Sequence, residues 1–234
     1  MSLIRILAQI WCLTREIGTW IFGRRFLGAL FGLALVLAAS PAQAADELIL
    51  VAFGDSLTAG FGLEDNDAFP TKLGSALRER GNKVRIVNAG VSGDTTSAGL
   101  ARLDWTIPAD ADAVIVELGA NDALRGQDPK KAYAALDQIL TKLKAKNVAV
   151  LLTGMEAPRN MGPEYVQAFN GIYPRLAKKH GVALYPFFLE GVATEPSLNQ
   201  SDGVHPNAEG VAVIVDRILP TVQGLLKQAS DNSW

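Results

Sequence analysis

An alternating α/β fold, with a parallel sheet covered by helices on both faces, is predicted by two patterns in this sequence. Five short, β-branched apolar runs recur after residue 44, and between them lie longer stretches whose apolar residues return at helical spacing. Strands separated by helices pair in parallel, because a parallel connection needs a crossover long enough to hold a helix. The composition suits such a fold. Of the 234 residues, 49% are hydrophobic and 20% charged, enough apolar mass for a sizeable core and unlike the polar composition of disordered chains.

The first element stands outside the alternation. Residues 26–39 carry no charge, follow Arg24-Arg25 and precede Ser40-Pro41-Ala42-Gln43-Ala44, the basic, apolar and small-residue pattern of a secretory signal. The run is shorter than the roughly 20 residues a hydrocarbon core demands. Cleavage after Ala44 and export to the periplasm or medium are therefore expected, with an uncleaved anchor as the alternative. Residues 1–44 hold Arg5, Arg15, Arg24 and Arg25 against Glu16, so the chain without them carries eighteen basic and twenty-three acidic residues, net −5 instead of −2. That balance excludes a nucleic-acid partner, which needs clustered positive charge. Cys12, the only cysteine, lies in the same segment, so the remaining 190 residues are expected to fold as one domain held by its core, without disulfides.

The strands are expected at residues 48–53, 84–88, 113–118, 148–153 and 182–185. A helix is expected where Tyr133, Leu136, Ile139, Leu140 and Leu143 share a face, and a last one from about 208 to 226. Ligands of an open parallel sheet bind beyond the carboxyl ends of the strands. After the first strand comes Gly54-Asp55-Ser56-Leu57-Thr58-Ala59-Gly60, in which Ser56 reads as a nucleophile, as a helix N-cap, or as part of a phosphate cradle. After the second comes Asn88-Ala89-Gly90-Val91-Ser92-Gly93-Asp94-Thr95. Gly93 can bring its N–H close to a ligand oxygen, or the segment is a turn in which Asp94 or Thr95 caps a helix. After the third, Asn121 in Gly119-Ala120-Asn121-Asp122 can offer its amide to the crevice or make an Asx turn.

Near the C-terminus, Asp202-Gly203-Val204-His205-Pro206 places a carboxylate three residues before an imidazole, with Pro206 suited to the first position of the last helix. The only other histidine, His180, closes a basic helix end, where a C-terminal cation explains it, and no further His or Cys completes a zinc site. Serine, base with an orienting acid, and two amide donors together make an acyl-transfer set.

Four blocks in order, Gly-Asp-Ser-Leu at Ser56, the glycine at Gly93, Gly-Ala-Asn-Asp at Asn121 and Asp-Gly-Val-His-Pro at His205, resemble the SGNH hydrolases, also called GDSL esterases and lipases. Within that family the pattern is similar to the bacterial arylesterase and thioesterase/lysophospholipase subgroup. The resemblance implies a flavodoxin-like three-layer α/β/α sandwich with strand order 2-1-3-4-5. It implies Ser56 as nucleophile, His205 as general base and then acid, Asp202 as the group orienting His205, and an oxyanion hole from the Ser56 and Gly93 N–H groups and the Asn121 side chain. No metal or organic cofactor is implied. The expected substrates are small acyl esters, aryl and short to medium in chain length, with thioesters and lysophospholipids beside them, and Leu124, Arg125, Met155 and Pro158 are expected to line their site. A monomer is expected. The alternatives are a carbohydrate O-acetylesterase on the same site and a non-catalytic flavodoxin-like protein holding a phosphate or flavin in the loop at residues 54–60.

Overall fold

The computed structural model describes residues 47–231; the expected leader, residues 1–44, and its cleavage site lie outside them. Five strands, β1 (Leu48–Gly54), β2 (Val84–Gly90), β3 (Ala113–Glu117), β4 (Ala149–Thr153) and β5 (Ala183–Tyr185), form one parallel sheet in the order 2-1-3-4-5. The position of each strand follows from its residues. β3 and β4 are buried at every position and most of β1 is, as continuous apolar runs require. β2, which carries Arg85 and Asn88, and the three-residue β5 take the edges.

The helices are α1 (Ser56–Ala59), α2 (Phe69–Glu79), α3 (Thr96–Thr106), α4 (Ala120–Leu124), α5 (Pro129–Ala145), α6 (Pro163–Asn170), α7 (Ile172–His180) and α8 (Ala208–Ser230). α2 packs with α8, and α5 packs with both α3 and α7, so that the two sets cover the two faces of the sheet. α5 shows why the sequence signal was strong. Asp128 accepts the Lys130 N–H at 2.9 Å, Pro129 takes the first turn, and Leu136, Ile139, Leu140 and Leu143 are buried. Tyr133 sits at the margin of that stripe, half-buried beneath the Arg175 guanidinium at 4.8 Å. The last helix starts at Ala208, as expected, and runs further than its pattern suggested, to Ser230. Asn207 is its N-cap, accepting the Gly210 N–H at 2.9 Å, so Pro206 lies before the cap and not at the first helical position.

Parallel register brings Gly90, Gly54, Glu117 and Thr153 side by side at the carboxyl end of the sheet. Gly54 is required there by the closeness of its neighbours: an added Cβ would stand 2.1 Å from Thr58 Oγ1 and 2.5 Å from Glu117 Oε2, two atoms already bonded to each other at 2.8 Å. Gly54→Ala is therefore expected to cost about 3 kcal/mol and lower the thermal midpoint by roughly 6–12 °C in a domain of this size. A midpoint within 2 °C of the parent would show that Thr58 and Glu117 give way freely.

Candidate active site

β1 ends in a sharp turn whose Asp55 carboxylate accepts the Leu57 N–H at 3.0 Å and so caps α1. Ser56 is the first residue of that helix, directly above the sheet edge. His205 reaches it from the loop before α8, with Nε2 2.9 Å from Ser56 Oγ and Nδ1 2.7 Å from Asp202 Oδ2. Asp202 Oδ1 accepts the N–H groups of Val204 and His205 at 2.9 and 3.0 Å, which is what folds the loop into a turn. The His205 and Val204 N–H groups, with the imidazole, pull the Asp202 carboxyl down to about 2. An ionised carboxylate can only accept, so Nδ1 carries the hydrogen and Nε2 presents its lone pair to the serine hydroxyl. The Phe61 ring lies 4.6 Å from the imidazole. Gln200 fastens the two loops together, donating from Nε2 to the Phe61 and Pro206 carbonyls at 2.8 and 3.0 Å.

The opposite rim comes from the ends of β2 and β3. Gly93 adopts φ +86°, a backbone conformation that side chains disfavour, which turns the loop at 91–95 back over the sheet edge. Arg125 Nη2 donates to the Gly93 carbonyl at 3.0 Å and reaches Asn121 Oδ1 at 3.4 Å, so one guanidinium ties both residues. Beneath them Arg102 bonds Asp94 at 2.6 Å and the Gly54 carbonyl at 2.9 Å, fixing the loop to β1. Thr95 does cap α3, through the Ala98 N–H at 3.2 Å. Asn121 stands in the first turn of α4, and its Nδ2 donates to Asp55 Oδ2 at 3.2 Å. Among the described residues the Ser56 and Gly93 N–H groups donate to no other protein atom. The fold thus links Ser56, His205 and Asp202 directly, and connects Asn121 to the serine turn through Asp55 and to Gly93 through Arg125.

The expected lining residues divide. Leu124 is 51% exposed, Arg125 is exposed and Pro158 half-buried. Met155 is instead buried in the core. Of the five large apolar side chains well exposed among the described residues, four are Phe61, Val91, Leu124 and Val204, within five positions of Ser56, Gly93, Asn121 and His205 respectively. An apolar rim around the serine, not a scattered surface, is the result. The second histidine is accounted for structurally, as His180 Nε2 meets Asp137 Oδ1 at 2.6 Å in the last turn of α7. Four residues escaped sequence reasoning: Asp55, which caps α1 where Ser56 was the candidate cap, Glu117, Arg102 and Gln200. Glu117 had a readable signal, an acid inside an otherwise apolar strand.

Residues 52–213 match the GDSL-like Lipase/Acylhydrolase family. The chain belongs to this family. It is 40% identical over 195 residues to the esterase TesA of Pseudomonas aeruginosa, covering 83% of this chain and 96% of that protein. It is 41% identical over 199 residues to thioesterase 1/protease 1/lysophospholipase L1 of Escherichia coli K12, covering 85% of this chain and 93% of the relative. The crystal structure of AlinE4, an SGNH-hydrolase family esterase, superposes with a TM-score of 0.65 at 47% identity, covering 77% of this chain and 97% of the other. This member of the family is a serine hydrolase acting on ester bonds, and the sheet order that the resemblance implied is the one observed. The alternative of a phosphate or flavin cradle at residues 54–60 gives way, because the Asp55 carboxylate already occupies the helix start and Ser56 is bonded to His205.

Proposed function

We propose that Ser56, His205 and Asp202 form a nucleophile, base and orienting acid, and that the Ser56 and Gly93 N–H groups with Asn121 Nδ2 form the oxyanion hole. The observation that carries this reading is the unbroken chain of hydrogen bonds from Asp202 through His205 to Ser56 Oγ. Ser56 Oγ bonds to the acyl carbon while its proton passes to His205 Nε2. The carbon–oxygen or carbon–sulfur bond of the substrate then breaks, and the same proton leaves with the alcohol or thiol. Water, deprotonated by His205, releases the acid and restores the serine. A fluorophosphonate probe tests the assignment: it is expected to modify the protein once, on the peptide containing Ser56. Modification elsewhere, or none, overturns it.

The apolar rim supports acyl esters and thioesters as substrates, of short to medium chain, with aryl esters and lysophospholipids included. Two of the three activities named for the E. coli relative, thioesterase and lysophospholipase, fit a rim that receives an alkyl chain. Leu124→Ser removes apolar area worth about 1–2 kcal/mol to a chain lying on it. It is expected to lower kcat/KM for octanoyl esters roughly tenfold relative to acetyl esters. An unchanged ratio across a p-nitrophenyl ester series from acetyl to palmitoyl would place the chain elsewhere.

No helix among the described residues is long and apolar enough to cross a membrane. The signal pattern of residues 1–44 supports export of a catalytic domain beginning at Ala45, which we expect to be a monomer. The intact mass and the elution volume of the protein recovered from the periplasm or medium test this, and a retained leader or a dimer contradicts it.

A further inference from the structure

One buried acid has no part in the steps above. Glu117 ends β3, is wholly inaccessible, and takes both of its hydrogen bonds on one oxygen: Thr58 Oγ1 donates at 2.8 Å and the Asp55 N–H at 3.3 Å, while Oε1 has no partner. The Asp55 side chain, equally inaccessible, lies beside it and accepts the Leu57 N–H on Oδ1 and Asn121 Nδ2 on Oδ2. Two adjacent carboxylates with no cation bonded to either do not both keep their charge in a buried site. Asp55 has two N–H donors to hold a negative charge. The spare oxygen of Glu117 has none, so the proton belongs on Glu117.

We propose that Asp55 and Glu117 form a buried pair holding one proton, Glu117 neutral and Asp55 ionised, and that this pair is the positioning device for the Asn121 oxyanion donor. This rests on the oxyanion role proposed above for Asn121. The amide is held at both ends, Oδ1 by Arg125 and Nδ2 by Asp55, so it cannot flip, and one Nδ2 hydrogen is left for the oxyanion. A neutral Glu117 also limits the negative charge beside the hole to one unit, where a second would repel the forming oxyanion.

Burial, against the Leu57 N–H and Asn121 bonds, pushes the Asp55 carboxyl up to about 6, and burial with the Asp55 charge pushes Glu117 well above the carboxylate range. Other groups face the pair from the surrounding elements. They are His205 from the loop before α8, Arg102 of α3 on the Gly54 carbonyl and paired with Asp94, Asp122 of α4, and Tyr173 of α7, whose phenol burial pushes up and whose hydroxyl donates to the Leu118 carbonyl. As pH falls through about 6, Asp55 gains a proton and ceases to be the charged acceptor for Asn121.

The test is the pH dependence of p-nitrophenyl butyrate hydrolysis, quenched and read at one alkaline pH. Wild type is expected to lose kcat/KM on the acid side more steeply than one proton allows over one to two pH units, and Asp55→Asn to show a one-proton limb with kcat lowered 10- to 100-fold and KM within twofold. Glu117→Leu is expected to lower kcat at least tenfold at pH 8, and Glu117→Gln, which keeps a neutral donor of the same shape, to restore most of that loss. A one-proton limb in both wild type and Asp55→Asn overturns the proposal. So does a folded Glu117→Gln as impaired as Glu117→Leu, since a charged Glu117 would then be needed. If Glu117→Leu fails to fold by circular dichroism, the other two variants decide. Persistent hydrolysis by Ser56→Ala would instead remove the reading of the active site itself.

Discussion

Ser56→Ala is expected to lower kcat/KM for p-nitrophenyl butyrate by about 10⁴- to 10⁶-fold while leaving the thermal midpoint nearly unchanged. Loss of Oγ removes the atom that bonds to the acyl carbon, so no acyl-enzyme forms, and what survives is water attacking a carbonyl held in the oxyanion hole. Stability is spared for a local reason. The turn that presents Ser56 is held by Asp55 on the Leu57 N–H and by Arg102 on the Gly54 carbonyl, and neither bond uses the serine hydroxyl. The only side-chain bond lost is the one to His205. Alanine also suits the helical position that serine occupies in α1. The combination of lost turnover and an unmoved midpoint separates a nucleophile from a structural serine. Hydrolysis within a hundredfold of the parent would mean that another group, Ser92 being the nearest in kind, attacks the ester.

The central strands were legible because burial on both faces leaves a strand almost wholly apolar, and the strand order was legible only through the family resemblance. Ser56, His205 and Asp202 were legible for a different reason. Each sits in a short motif whose neighbours build its own turn, as Asp202 does through the N–H groups of Val204 and His205. What escaped depends on register or on distant chain. Glu117 meets Asp55 and Thr58 only because β1 and β3 pair with Gly54 beside Glu117, across about sixty residues of sequence. Arg125 was expected to meet the substrate because it follows Asn121, yet its guanidinium bonds Gly93 from a separate loop. Met155 shows the remaining ambiguity. An apolar residue just past a strand reads alike whether it turns to the rim, as Leu124 does, or into the core, as Met155 does. Pro206 is a smaller instance, since a proline before a helix and one in its first turn differ only by where the cap falls.

Asp202→Asn probes the imidazole without removing a volume, and it is expected to lower kcat by about 10³- to 10⁴-fold with little change in KM or folding. The asparagine Oδ1 can still accept the Val204 and His205 N–H groups, so the turn survives. Its Nδ2 donates where the carboxylate accepted. Facing a donor, Nδ1 of His205 must offer its lone pair, which moves the ring hydrogen to Nε2, the atom that has to take the proton of Ser56. The serine then meets a donor in place of a base. With its carboxyl pulled down to about 2 by the backbone N–H groups of His205 and Val204, Asp202 stays ionised over the working range. The sign follows directly: a depressed carboxyl favours the folded turn above the ordinary carboxylate range and gives that support up only as pH falls towards 2. Asp202 therefore contributes nothing to an acid limb near pH 6, where the Asp55 carboxyl gains its proton. A folded Asp202→Asn retaining a tenth or more of parental kcat would show that the turn alone, held by the two backbone N–H groups, is enough to set the imidazole tautomer.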